Sequence, residues 1–98
     1  MKSKNNQHIG SSFDEFLREE GIYAEVEAAA LKKVIAAALA KQMKRRRTSV
    51  SKLAETLGTS RAAVSRVLDE ENTSITLTTL SRTAIALGCK VRLEIVAA

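Results

Sequence analysis

Residues 50–69 read VSKLAETLGTSRAAVSRVLD, and the spacing of Ala54, Gly58 and Val64 within them decides the fold. Ala54 is small enough for a second helix to cross closely over the first, and Gly58 can adopt the positive φ that ends one helix and turns the chain. Val64 then closes the corner. Leu53 and Leu57 lie one turn apart on the first helix, as do Ala63 and Val67 on the second, so each has an apolar side to bury. Arg61, Ala62, Ser65 and Arg66 project from the opposite side of the second helix, with no bulky apolar residue among them. Such a face suits solvent or the groove of a duplex, and the arrangement is that of a helix-turn-helix.

Immediately before this stretch, Lys41, Lys44, Arg45, Arg46, Arg47 and Lys52 fall within twelve residues that contain no acid. Residues 32–68 hold ten basic side chains and one acidic. Residues 1–31 hold three and six, and residues 69–98 hold three and four. The net charge of +5 therefore hides a basic middle third. A basic run can simply be solvated near a helix C-terminus, where it also complements the helix dipole. Next to this motif it is read as a platform for DNA phosphates, because backbone electrostatics supplies most non-specific affinity. Lys44, Arg45, Arg46, Arg47, Ser49, Lys52 and Ser60 are the candidate phosphate contacts. Arg61, Ala62, Ser65 and Arg66 are the candidate base readers.

Working outward, residues 1–10 are polar and aperiodic and read as a disordered tail, with the domain running over 11–98. Ser12 and Glu15 form a capping box that predicts a short helix to Glu20 bearing Phe13, Phe16 and Leu17, stopped at Gly21. From about Ala24 to Lys44, Leu31, Val34, Ile35, Ala38, Leu39 and Met43 recur at three and four residues and predict one buried stripe. Thr48 or Ser49 can cap the first motif helix and Ser60 the second, within a motif bounded at 49–69. After a loop at 70–74, Thr76 caps a last helix to Leu87, and Gly88 ends it.

The chain then changes period. Val91, Leu93 and Ile95 alternate with Arg92, Glu94 and Val96, which predicts a strand over 90–96 with no partner elsewhere in the sequence. Pairing with the same strand of a second copy would satisfy its backbone and create a homodimer through Val91, Leu93 and Ile95. The alternative is a tail packed on its own helices. The expected fold is mainly all-α, with five helices and this C-terminal strand.

Composition narrows the function. Ninety-eight residues allow one modest core, and only Phe13, Phe16 and Tyr23 are aromatic, so that core must be aliphatic. His8 and Cys89 are the sole residues of their kinds, and no nucleophile set, metal-ligand cluster or phosphate loop is present. The reading is a protein that is not an enzyme and takes no cofactor or metal. A single cysteine fits a reducing compartment, and neither the polar start nor the charge-interrupted Ala-rich run suits a membrane, which points to the cytoplasm.

Across residues 49–88 the chain resembles the Cro and lambda-repressor-like helix-turn-helix family, the xenobiotic-response-element type. SVSKLAETLGTSRAAVSRVLD is similar to its two motif helices, and LTTLSRTAIALG to its next helix. The resemblance implies that Arg61, Ala62, Ser65 and Arg66 face the major groove of operator DNA, the two arginines reading bases. The family often opens its first motif helix with a phosphate-binding glutamine; Val50 cannot donate, so Ser49, Lys52 or the preceding arginines would take that place.

From Phe13 to Ala98 the arrangement of FDEFLREEGI, an Ala-rich helix, the motif, DEENTSITLTTL and a terminal strand is similar to HigA-like antitoxins. That likeness implies repression of the protein's own operon and binding of a RelE- or HigB-like ribonuclease toxin. The net charge of −3 over residues 1–31 fits a basic partner, although a solvated acidic surface would look the same. The alternative is a stand-alone or phage-type regulator without a toxin.

Overall fold

The computed structural model describes residues 9–97, with side chains from Ser12 onward. Helix α1 spans Ile9–Arg45, α2 Val50–Leu57, α3 Arg61–Leu68 and α4 Leu77–Ala86. Among the described residues there are thus four helices, not five. The short helix expected to stop at Gly21 and the longer one after it are a single helix of 37 residues. A glycine costs a helix interior only about 1 kcal/mol against alanine. Breaking the helix would orphan several N–H and C=O groups, and the flanking FLREE and AEVEAAA segments are strong helix formers. Ser12 therefore lies inside α1 and is not its cap. The first eight residues of the expected tail lie outside the described residues, and α1 begins at Ile9.

Three helix ends are closed by the same device. After α1, α2 and α4 the backbone turns left-handed at Arg47 (φ 53°), Gly58 (φ 68°) and Gly88 (φ 74°). In each case the next residue's N–H reaches back five positions, from Thr48 to Met43 O, Thr59 to Ala54 O and Cys89 to Ala84 O at 2.9, 3.0 and 2.8 Å. The left-handed residue itself donates to the carbonyl three back, which completes a Schellman closure. Helix starts follow the expected chemistry. The hydroxyls of Ser49, Ser60 and Thr76 accept from the N–H groups of Lys52, Ala63 and Thr79.

The core joins the C-terminal half of α1 to the other three helices through Leu39, Met43, Leu53, Ala54, Val64, Val67, Leu80 and Leu87. The stripe expected on α1 divides in two. Ala36, Leu39 and Met43 are buried and Ile35 partly so, whereas Leu31 and Val34 are 50% and 67% exposed and Ala38 is exposed. Successive helical residues are about 100° apart, so 32, 36, 39 and 43 form one line while 31, 34 and 38 lie round the side of the helix. N-terminal to Lys32, α1 continues as an arm whose Phe13, Phe16, Leu17, Tyr23 and Val26 are all more than half exposed.

Residues 89–97 carry no regular secondary structure, and no strand occurs among the described residues. A strand at 90–96 has no partner within one chain, so its formation depends on a second molecule. Cys89 packs against the core, but Leu93, Ile95 and Val96 stand 68–89% exposed, unlike a tail folded onto its own helices.

Candidate nucleic-acid interface

Helix α3 turns Val64 and Val67 into the core and leaves Arg61, Ala62, Ser65 and Arg66 exposed together. Ala54 is 4% exposed and Leu53 1% on α2, whose close packing against α3 rests on the small side chain at position 54. The Arg61 guanidinium donates from Nη1 to Ser51 Oγ at 3.2 Å, which holds it beside the N-terminal turn of α2. There Ser49 caps α2, and Val50, with no donor to offer, packs partly buried on the core. Lys52 pairs with Glu55 at 3.9 Å. An exposed pair of this kind is weak and leaves the ammonium free to exchange partners.

The four consecutive basic residues before α2 do not share one environment. Lys44 and Arg45 form the exposed last turn of α1, and Arg47 occupies the left-handed turn. Arg46 instead donates from Nη1 to Leu87 O at 3.1 Å, tying the α1 end to the α4 end. Its guanidinium fills the space beside Gly88 that a Cβ would need. Arg82 acts similarly, donating from Nη2 to Leu57 O at 3.1 Å at the end of α2. Cationic donors suit these places because the last carbonyls of a helix carry partial negative charge.

The residue that sequence reasoning passed over is Lys32. It is 2% exposed, and its Nζ donates to Asp69 O at 2.6 Å, Asn72 O at 2.7 Å and Arg66 O at 3.4 Å. Three donors meet three acceptors at the C-terminal end of α3. Burial lowers the ammonium's pKa from its ordinary value, and the nearby Asp69 carboxylate opposes that shift. Next to it, Lys33 pairs with Glu71 at 3.5 Å and Glu70 at 4.0 Å on the same loop. The available signal was positional: Lys32 falls on the line of Ala36, Leu39 and Met43, where a charged residue must find a buried partner.

Comparison with known proteins also finds a helix-turn-helix. A profile of the Cro/C1-type HTH DNA-binding domain matches residues 38–92. The chain belongs to this family. The match takes in the last turns of α1, all of α2, α3 and α4, and the start of the tail, leaving the arm and Lys32 outside it. No curated protein and no solved structure matches the chain. Among the described residues no group of His, Cys, Asp or Glu is placed to hold a metal, and no helix is long and apolar enough to cross a membrane.

Proposed function

We propose that this Cro/C1-type protein is a sequence-specific transcriptional repressor that acts as a homodimer, and the antitoxin of a toxin–antitoxin pair. The observation that carries the DNA reading is the outward face of α3, where Arg61 and Arg66 flank Ala62 and Ser65 on a helix whose other side is core. An arginine fork can bond O6 and N7 of guanine together, so both arginines are assigned to base readout, with Ala62 and Ser65 lying close on the groove floor. Lys44, Arg45, Arg47, Ser49, Lys52 and Ser60 are assigned to phosphates. Arg46 is withdrawn from that set in the free protein, because its guanidinium already holds Leu87 O.

Pairing of the 90–96 segments across a two-fold axis would set two α3 helices about 34 Å apart, on one side of the duplex. The exposed apolar Leu93 and Ile95 support that use of the tail. The α1 arm supports a protein partner. Its exposed Phe13, Phe16, Tyr23 and Val26 lie among Asp14, Glu15, Glu19, Glu20, Glu25 and Glu27. A RelE- or HigB-like toxin that cleaves mRNA carries a basic surface and meets opposite charge there.

A gel shift with the DNA upstream of the protein's own gene tests repression; retardation of that fragment, and not of a scrambled one, is expected. Equal retardation of both contradicts it. Co-expression with the adjacent gene product, followed by an mRNA-cleavage assay, tests the antitoxin assignment. A purified complex in which cleavage is suppressed is expected. If no complex forms, the protein acts as a stand-alone regulator.

A further inference from the structure

Of the four helices, α3 alone lacks a left-handed residue at its C-terminus. Asp69 follows it at φ −77° and ψ 116°, and its N–H makes only a 3.4 Å bond to Arg66 O. Without a Schellman closure the last carbonyls of an eight-residue helix are left to fray. Arg66 and Ser65, half of the outward face, lie in that last turn. The missing closure is supplied from another helix by the Lys32 ammonium on the carbonyls of Arg66, Asp69 and Asn72.

We propose that Lys32 is a positioning residue for base readout, fixing the last turn of α3 so that Arg66 enters the groove at one set depth. This rests on α3 being the base-reading helix. Lys32 is buried and points away from solvent, so it offers nothing to phosphate directly. The two roles therefore separate in experiment. Loss of the clamp loosens contacts that require register, whereas diffuse attraction between Lys44, Arg45 or Arg47 and the DNA backbone is unchanged. It also makes α1 the element that sets α3, although Lys32 lies before the region shared with the family.

The test compares full-length wild type with Lys32→Met on the operator and on a scrambled duplex of the same length, well below the thermal midpoint, with helicity checked by circular dichroism. The expected result is a loss of about tenfold in the operator-to-scrambled affinity ratio, the size of one lost base contact, with scrambled affinity and salt slope unchanged. A merely structural lysine would lower both affinities together, or neither. If Lys32→Met does not fold, Lys32→Gln, whose neutral amide is one bond shorter and has two N–H donors for three carbonyls, cannot complete the clamp and is read by the same ratio. Rescue supplies the second arm. In a Cys89→Ala background, Lys32→Cys aminoethylated in denaturant and refolded regains an ammonium at the same reach, and the ratio should return to that of Cys89→Ala. A ratio unchanged in the folded variants, or one that stays low after aminoethylation, overturns the proposal. A wild type that does not distinguish operator from scrambled DNA instead overturns the reading of α3 beneath it.

Discussion

Arg47 turns the chain at φ 53°, where its Cβ crowds the backbone; Gly58 and Gly88 make the equivalent turns without that penalty. Arg47→Gly is therefore expected to raise stability by about 0.5–1 kcal/mol in urea denaturation, while losing one phosphate contact and reducing the salt slope of DNA binding by roughly one unit. A strained arginine at the mouth of the motif makes sense if its side chain is used, since strain of this kind is retained where function needs it. Arg46, one residue earlier, should behave oppositely. Arg46→Ala removes a charge-assisted bond to Leu87 O and should cost about 1–3 kcal/mol of stability, with a smaller change in salt slope than Arg47→Ala. Composition could not separate these neighbours, because all four basic residues look alike until the α4 end is brought beside one of them. Lys32 was hidden for a related reason: its partners are backbone carbonyls from residues 66–72, and carbonyls have no sequence signature.

Among the elements, α2, α3 and α4 were legible because each start, and the stops of α2 and α4, are written in local chemistry. Ser49, Ser60 and Thr76 open them, and Gly58 and Gly88 supply left-handed turns. Helix α1 was not, because a glycine marks a helix end only when the chain also adopts a left-handed turn, and Gly21 has no positive φ. The same Gly21 supplies a clean test. A Cβ there meets nothing within 4 Å, so Gly21→Ala should increase helicity and amide protection in the arm by up to about 1 kcal/mol. If Gly21 instead ended a helix in a left-handed turn, alanine would reduce both. Division of the α1 stripe also escaped the periodicity argument, which identifies apolar neighbours along a helix but not which adjoining line meets the core.

At the scale of the whole molecule, α1 measures about 55 Å, nearly the 60 Å long axis, so its N-terminal arm projects from the four-helix core. The core and the outward face of α3 follow from the motif, whereas the proposed uses of the arm and the tail would depend on second molecules that leave no mark on one chain. Truncation after Lys90 keeps Cys89 and its bond to Ala84 O but removes Val91, Leu93 and Ile95. If the proposed dimer forms through this segment, the truncated chain should be a monomer by light scattering at a concentration where the full chain is expected to dimerise. Operator affinity should fall with it, because linked half-sites gain an effective concentration that separate halves lack. A truncated chain that still dimerises would remove the tail from the interface. Whether α3 reads sequence through Arg61 and Arg66 is decided by titrating wild type, Arg61→Ala and Arg66→Ala against the operator and a scrambled duplex in the same salt. Each substitution is predicted to weaken operator binding by about 1–3 kcal/mol while changing scrambled binding little; operator affinity equal to wild type in both folded variants would contradict it.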